Sequence, residues 1–230
     1  MKRILLLISL LLCTSFSLLA QSPSDGIIKF LGIPIDGTVS QMAAKIKAKG
    51  FTYNTKEDYY SGQFNGKSVT LRIVANRDKV YRICVFYPEM SESTVIMEYN
   101  VLWNQFKRNP KYLDIDYSEE IPQSEDISYE MLVNNKIYGA AFSYVCPDIF
   151  SEEDIRKLKE KIIPVLRVST EEEILAAYQT LSSEDQEFFM AKMPYLTMGQ
   201  VWFKITGVYG NYQIVIYYDN QLNMANGEDL

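Results

Sequence analysis

Four oxygen-bearing side chains, Asp114, Asp116, Ser118 and Glu125, have a spacing that could bind a calcium ion. Counted from Asp114 they fall at positions 1, 3, 5 and 12, which are ligand positions of a helix-flanked calcium loop. Position 6 of such a loop needs glycine for a sharp turn, and Glu119 occupies it here. Two interpretations follow, a calcium site or a polar strand with a solvated connection, and the missing glycine favours the second.

Carboxylates are also the one catalytic apparatus that the composition leaves open. The chain has no histidine, which excludes Ser/His/Asp and Cys/His nucleophiles and His-ligated zinc. It also lacks Gly-x-Gly-x-x-Gly, Gly-x-x-x-x-Gly-Lys-Ser/Thr, Gly-x-Ser-x-Gly, Ser-x-x-Lys and Cys-x-x-Cys. Two facing acids suffice for glycoside hydrolysis, and Asp114 and Asp116 would share one strand face, followed by Glu119 and Glu120. With 29 acidic residues such proximity is expected by chance, so a hydrolase is the alternative interpretation.

Tyrosines offer a second kind of chemistry, because tyrosine and tryptophan act as rigid anchors in binding sites. The candidate binding residues are Tyr53, Tyr59 and Tyr60 in one half of the chain, and Tyr209 and Tyr212 in the other. The structural alternative is that tyrosine is simply a favoured strand residue, half buried with its hydroxyl in water. The adjacent Tyr217 and Tyr218 must point to opposite faces of a strand, so at most one belongs to any single surface.

The first twenty residues have the pattern of a secretory signal peptide. Lys2 and Arg3 precede the apolar run 4–12, and 18–20 (Leu-Leu-Ala) offers a cleavage site. The run is shorter than the roughly 20 residues of a membrane span, so we expect no transmembrane segment in the mature chain. Lipid attachment at Cys13 is the minor alternative, because bulky leucines precede that cysteine. A periplasmic or extracellular location follows from this pattern.

The mature chain would be acidic, since removal of Lys2 and Arg3 leaves 21 basic against 29 acidic side chains. An acidic chain without basic clusters is a poor ligand for phosphate backbones, so nucleic-acid binding is not expected. Two cysteines remain, Cys84 and Cys146, and in an oxidising compartment they could form a disulfide. The alternative is two buried free thiols.

The first half of the chain predicts a helix, three strands and a second helix. A capping box, Thr38 to Gln41, opens a helix that Gly50 ends, after an edge strand or extended segment over 27–35. Asn65-Gly66 joins two strand-forming runs, 59–64 and 67–75, into a hairpin. A strand over 80–87 and a helix over 93–107 follow.

The second half repeats this order. The segment Val133 to Tyr138 matches Val74 to Tyr81, and each is followed by an apolar strand, a proline and a Ser-Glu helix start. Further helices are expected over 152–163, from a Thr170 capping box, and over 183–193, and further strands over 201–206 and 212–218. The sequence therefore predicts an α+β fold, with antiparallel sheet and helices packed on one side, built from a duplicated hairpin-plus-helix unit. The expected units are residues 21–110 and 111–230, or one continuous domain.

Two segments of the chain are similar to segments of known proteins. The opening 30–38 (Phe-Leu-Gly-Ile-Pro-Ile-Asp-Gly-Thr) and the ending 217–220 (Tyr-Tyr-Asp-Asn) with 225–230 (Ala-Asn-Gly-Glu-Asp-Leu) resemble a group of exported proteins of gut-dwelling anaerobic bacteria. The resemblance implies export and supplies no catalytic residue. The repeated unit of helix and antiparallel sheet is similar in architecture to β-lactamase inhibitor protein, a likeness of fold alone.

Together these patterns predict an exported, non-catalytic module that binds a protein or glycan partner through a sheet face. A carboxylate-dependent hydrolase acting on polysaccharide is the alternative. No cofactor is expected, apart from the calcium considered at Asp114 to Glu125.

Overall fold

The computed structural model describes residues 26–115, 118–166, 170–208 and 210–225. These residues form an α+β fold with a large antiparallel sheet, which confirms the predicted class. The strands are β1 (Lys29–Phe30), β2 (Ile33–Pro34), β3 (Thr52–Asn54), β4 (Tyr59–Phe64), β5 (Lys67–Asn76), β6 (Lys79–Phe86), β7 (Tyr112–Asp114), β8 (Gly139–Tyr144), β9 (Gly199–Val208) and β10 (Asn211–Asn220). The helices are α1 (Val39–Ala48), α2 (Glu92–Arg108), α3 (Ile127–Val133), α4 (Glu152–Lys157), α5 (Ile163–Leu166), α6 (Glu171–Gln179) and α7 (Ser183–Met198).

The chain forms two compact units whose boundaries differ from the predicted ones. The sheet unit comprises Ile27–Tyr144 and Thr197–Leu230, and the helical unit is built on Val145–Leu196. The expected division after residue 110 is not observed, because strands from both sides of it join one sheet of order β3-β4-β5-β6-β10-β9-β8-β7. The last strand of the chain, β10, pairs with β6 and so connects two groups of four strands.

One side of this sheet, which we call the covered face, carries the core of the sheet unit. Leu71, Val85, Ile216 and Phe203 stand opposite one another on β5, β6, β10 and β9, and all four are fully buried. Helix α2 packs on this side, because its Phe106 ring stacks on the rings of Phe142 and Phe203 at centroid distances of 5.4 and 5.8 Å. The helix predicted over 93–107 is confirmed, and its buried side chains form one stripe: Val95, Ile96, Tyr99, Leu102, Trp103 and Phe106.

The β1–β2 hairpin and α1 complete the cover over the other end of the sheet. The Phe30 ring contacts the rings of Phe64 and Tyr218 at 5.4 and 5.2 Å. Helix α1 lies against β5 and β6, and its buried side chains are Met42 and Ile46. The predicted packing of helices on one side therefore holds for α1 and α2.

The segment after β10 returns to the beginning of the sheet unit. The Asn220 amide donates to the Ile35 carbonyl at 2.8 Å. The Asn223 amide donates to the Val80 carbonyl and to the Asp36 carboxylate, both at 2.8 Å. These buried polar groups are satisfied by hydrogen bonds, as buried amides must be if they are not to destabilise the fold.

Local sequence signals for turns and caps are confirmed. Asn65 and Gly66 have φ values of 50° and 74° and join β4 to β5, the left-handed pair that a tight hairpin turn requires. The capping boxes beginning at Thr38 and Thr170 are both formed. Ser151 starts α4 with a third capping box.

The sequence misplaces several elements. Residues 27–35 form a short hairpin instead of one edge strand, because Leu31 and Gly32 both have positive φ, at 50° and 80°. The helical segment that begins at Glu152 does not end at Pro164. A π-helical turn (Leu158–Ile162) precedes this proline, and its wider spacing lets the chain continue to Leu166 without the usual clash. Helix α7 likewise continues through Pro194 to Met198.

The second copy of the predicted hairpin-plus-helix unit also differs. Asn76 to Asp78 turns between β5 and β6, but the matching residues Asn134 to Lys136 follow helix α3. The hairpin predicted for the second copy is therefore wrong, although β8 is followed by α4 as β6 is followed by α2. Among the described residues, no helix is both long and apolar enough to span a membrane.

Replacing the ring at the centre of the covered face should be costly. We expect Phe106→Ala to lower the free energy of unfolding by about 3–5 kcal/mol, because the ring is 8% exposed and the substitution leaves a cavity. Met97→Ala on the same helix is the control, since Met97 is 53% exposed and surface changes stay within about 0.5 kcal/mol. Urea unfolding of the two variants measures both effects. Equal effects would contradict the assignment of Phe106 to the core.

Candidate binding surface

The side of the sheet opposite the covered face, which we call the open face, presents a different set of side chains. Arg72, Cys84, Tyr217 and Trp202 stand opposite one another on β5, β6, β10 and β9. They alternate with the core residues along each strand, as the pleat requires. Arg72 is exposed, Trp202 and Tyr217 are half-buried, and Cys84 is buried between them. This row is the centre of the candidate binding surface.

An aromatic and arginine cluster occupies the middle of the open face. The rings of Trp202 and Tyr217 stack with their centroids 3.9 Å apart and their planes 15° from parallel. The Arg82 guanidinium lies 5.5 Å from the Trp202 ring and 5.1 Å from the Tyr217 ring. These distances are within the range of cation–π attraction, so the three side chains hold each other in place.

A β-bulge adds a third ring to this cluster. Val74 pairs with Arg82 and Ala75 with Val80, so that Tyr81 is the extra residue between two paired positions of β6. The Arg82 guanidinium lies 5.7 Å from the Tyr81 ring. The bulge therefore brings an aromatic ring beside an arginine that directly follows it in the chain.

The Asp219 carboxylate binds two members of the cluster through hydrogen bonds. Its carboxylate accepts two hydrogen bonds from Arg82, at 2.6 and 2.7 Å, and one from the Trp202 indole N–H at 2.8 Å. The Asp219 side chain is only 2% exposed, whereas that of Arg82 is 22% exposed. The hydrogen bonds from the guanidinium to Asp219 raise the pKa of Arg82, so this cation is permanent at any physiological pH. Asp219 thus fixes both the arginine and the indole at once.

A groove of about 460 Å³ lies on the same face, toward the β3 edge. Its floor includes a row of residues that oppose one another on β3, β4, β5 and β6: Thr52, Ser61, Thr70 and Phe86. Gln63, Ser68 and Gln213 also line it. The remaining lining residues are Gly62, Val69, Tyr87 and Pro88. The groove therefore offers hydroxyl and amide groups beside apolar ones, with Phe86 in its floor.

Two of the predicted tyrosines, Tyr53 and Tyr60, do not form this surface. Tyr53 and Tyr60 oppose each other in register with Leu71, on the side of the covered face, with ring centroids 4.8 Å apart. The Tyr53 hydroxyl donates to Asp58 at 2.7 Å, and this hydrogen bond raises the pKa of Tyr53. Tyr59 alternates with Tyr60 along β4 and therefore stands on the open face, near Ser61. It is half-buried, and a hydrogen bond with Glu57 raises its pKa.

Tyr212, also predicted as a binding residue, is buried. It is 1% exposed, and its backbone pairs with Met90 while its hydroxyl contacts Ser128. It therefore cannot present its ring to a partner. Tyr209 lies outside the described residues. The expectation for Tyr217 and Tyr218 is confirmed, since Tyr217 stands on the open face and Tyr218 is buried on the covered face, where burial raises its pKa.

The residues of the predicted calcium loop have other partners. Ser118 accepts the Trp103 indole N–H with its hydroxyl at 3.0 Å and with its carbonyl at 3.1 Å. The Glu125 carboxylate accepts from Lys136 and from the Tyr138 hydroxyl. Asp114 ends β7, and Asp116 lies outside the described residues. Within the ranges that the structure describes, no three acidic or cysteine side chains form a metal-binding group.

A second groove, of about 390 Å³, bears on the hydrolase interpretation, because Glu119, Glu120 and Glu125 line it. The hydrogen bond from Lys136 lowers the pKa of Glu125. A general acid in glycoside hydrolysis needs the opposite shift, a raised pKa that keeps the carboxyl protonated. Glu125 is therefore unsuited to that role.

The disulfide considered for the two cysteines is not formed. Cys84 lies in the sheet unit and Cys146 in the helical unit, and both are buried free thiols. Burial raises the pKa of Cys84 to about 11, which suppresses the reactive thiolate. The Cys146 thiol lies 3.7 Å from an oxygen of Asp148, two residues away.

The sequence gives only a partial signal for the residues that do form the surface. Trp202 and Tyr217 lie in the two predicted C-terminal strands, and alternation places Tyr217 opposite in orientation to its neighbour. The partners of Arg82 could not be found this way, because Asp219 is 137 residues distant in the chain. Only the pairing of β6 with β10 brings them together.

Comparison with protein-family models, with curated proteins and with solved structures finds no match to this chain. The chemistry of the open face therefore has to be interpreted from its own side chains. They offer planar rings, one fixed cation and a set of uncharged hydrogen-bonding groups.

Removing one partner of the Arg82–Asp219 pair should destabilise the protein. We expect Arg82→Ala to lower the free energy of unfolding by about 3–5 kcal/mol, because it leaves the buried Asp219 without its cation. The double variant Arg82→Met with Asp219→Leu should recover most of this loss, since no unpaired charge remains. Urea unfolding measures both.

The control for this prediction is Arg156→Ala in α4. The Arg156 side chain is 59% exposed and pairs with Glu153 and Glu160, so its loss should cost at most about 1 kcal/mol. If Arg82→Ala lowered the free energy of unfolding no more than Arg156→Ala does, the prediction would be wrong, because the buried Asp219 would then not need the charge of Arg82.

Proposed function

We propose that this protein is exported and acts as a non-catalytic binding module, with the open face of its sheet as the surface that binds a protein or glycan partner. The observation that carries the proposal is the cluster of Arg82, Trp202 and Tyr217. These three residue types dominate the binding energy of characterised interfaces. Here they stand side by side on one face, with their rings partly accessible.

The cluster is organised before any partner arrives. Stacking fixes the two rings, and three hydrogen bonds to Asp219 fix the guanidinium and the indole. Ordering a free side chain on binding costs roughly 0.5–1.5 kcal/mol, and a side chain that is already ordered avoids this cost. A preorganised group of this kind suits a binding role, in addition to the structural role of the Arg82–Asp219 pair.

The rest of the sheet supports the same surface. Helices α1 and α2 occupy the covered face, so that face is not available. The open face includes half-buried or exposed side chains on β5, β6, β9 and β10, among them Arg72, Phe86, Lys204 and Thr206. A partner that lies across these strands would contact the cluster and the groove together.

Export is supported by the leader-like pattern of the first twenty residues, with Lys2, Arg3 and the apolar run 4–12. The proposed partner is therefore a protein or glycan of the cell envelope or of the medium.

Photocrosslinking in cells that make the protein tests this proposal. A benzophenone-bearing amino acid replaces Arg72 on the open face, or Met97 or Val101 on the outer side of α2, all of which are exposed. We expect adducts from position 72 and none from positions 97 and 101. Adding Tyr217→Ala to the position-72 variant should reduce the adduct about tenfold or more, as loss of a major interface residue does.

The opposite pattern would refute the proposal. Adducts that form only at positions 97 and 101, or at none of the three positions, would mean that the open face is not the contact surface. The melting temperature of each variant is measured alongside, so that a loss of adduct through unfolding is recognised.

A further inference from the structure

We propose that the groove on the open face is a binding site for an uncharged saccharide, with Phe86 as the ring on which the sugar lies. This inference rests on the proposed function and names the ligand class of one part of its surface. Three observations support it: the hydroxyl and amide side chains that line the groove, the hydrogen-bonded backbone of its floor, and the uncharged character of its described lining residues.

The lining has the hydrogen-bonding groups that a sugar needs. Thr52, Ser61, Ser68 and Thr70 contribute hydroxyls, each of which can donate one hydrogen bond and accept two. Gln63 and Gln213 contribute amides, which both donate and accept. A saccharide carries a rim of hydroxyl groups with the same dual capacity, so each contact can form in either direction.

Two of these groups are held in position by their neighbours. The Gln63 amide donates to the Ser68 hydroxyl at 2.8 Å. The Gln213 amide donates to the Tyr87 carbonyl at 2.6 Å. The groove is therefore partly preformed, and its volume of about 460 Å³ lies within the roughly 300–1,000 Å³ of small-molecule sites.

The backbone under the groove argues against a peptide as the ligand. Peptides that bind sheets usually add a strand to an unpaired edge through main-chain hydrogen bonds. The floor residues Ser61, Thr70 and Phe86 each have a paired strand on both sides, so the sheet already uses the backbone there. The segment Gly62–Phe64 of β4 pairs with β5 and has no partner in β3. Recognition on the floor of the groove must therefore come from the side chains.

Phe86 supplies the apolar contact. It is half-buried in the floor, and the Arg72 guanidinium lies 6.0 Å from its ring centroid. The C–H face of a sugar packs well on an aromatic ring, whose face is weakly negative. A ring surrounded by hydroxyls and amides thus matches a ligand that is apolar on its faces and polar at its rim.

Charge indicates that the saccharide is neutral. Among the described residues that line the groove, none has an ionised side chain. The chain as a whole has a formal charge of −6, which disfavours acidic sugars at long range. Arg72, beside Phe86, is the nearby cation that could favour an acidic sugar instead, and the test separates the two cases.

Affinity electrophoresis and titration calorimetry with polysaccharides provide the test. The neutral probes are soluble starch, barley β-glucan, xylan and galactomannan, and the acidic probe is polygalacturonate. We expect at least one neutral probe to bind. Thr70→Ala and Gln63→Ala should each weaken that binding about three- to tenfold, the effect of losing one hydrogen bond.

Gln200→Ala is the matched control for Gln63→Ala. Gln200 is a half-buried glutamine of the same face, on β9, away from the groove. Its substitution should leave the affinity unchanged. Phe86→Ala should weaken binding more than either polar variant, provided that its melting temperature shows it to be folded.

Three results would overturn the assignment: no neutral probe binds, polygalacturonate alone binds, or Gln200→Ala weakens binding as much as Gln63→Ala. If the groove fails in this way while crosslinking still occurs at position 72, the saccharide assignment is wrong and the open face remains a binding surface. If both experiments fail, the proposed function fails with it.

Discussion

The pairing of β6 with β10 is the interaction on which the rest of the structure depends. Val85 opposes Ile216 on the covered face, and Cys84 opposes Tyr217 on the open face, so one register sets both surfaces. Without this pair, strands β3 to β6 and strands β7 to β10 would be two separate four-stranded groups. A slip of one residue would exchange the core residues with the surface residues, which is why the register is strongly specified.

The same pair carries a charge interaction that joins distant parts of the chain. Arg82 and Asp219 oppose each other in the β6–β10 register, and their hydrogen bonds reinforce it. A buried ion pair adds little net stability, because desolvation offsets the attraction. Its contribution here is specificity: any other register would bury Asp219 without a cation. The amides of Asn220 and Asn223 fix the segment just after β10 in a similar way.

Local features of this fold could be predicted from the sequence because they depend on neighbouring residues. The Asn65-Gly66 turn, the capping boxes of Thr38 and Thr170 and the buried stripe of α2 need only a few consecutive positions. The opposite orientation of Tyr217 and Tyr218 follows from the pleat alone. The α+β class follows from the order of such elements.

The surface could not be predicted, because it is assembled from strands far apart in the chain. Thr52, Phe86 and Gln213 meet in one groove only after five strands have paired. The burial of Tyr212 could not be predicted either, because tyrosine suits both half-buried and fully buried strand positions. Whether Cys84 and Cys146 form a disulfide also depends on the folded chain and not on any short pattern around either cysteine. Long-range pairing decides all of these outcomes, and no short pattern encodes it.

Hydroxyl-radical labelling of the two adjacent tyrosines tests most directly the claim that one face is covered and the other open. Tyr217 and Tyr218 have the same chemistry and neighbouring positions in β10, so they differ only in the face that they occupy. In the folded protein we expect Tyr217 to be oxidised readily and Tyr218 to be protected, with equal oxidation of both in denaturant. Equal oxidation of the two rings in the folded protein would contradict the account, because it would mean that the sheet does not separate a core face from a binding face.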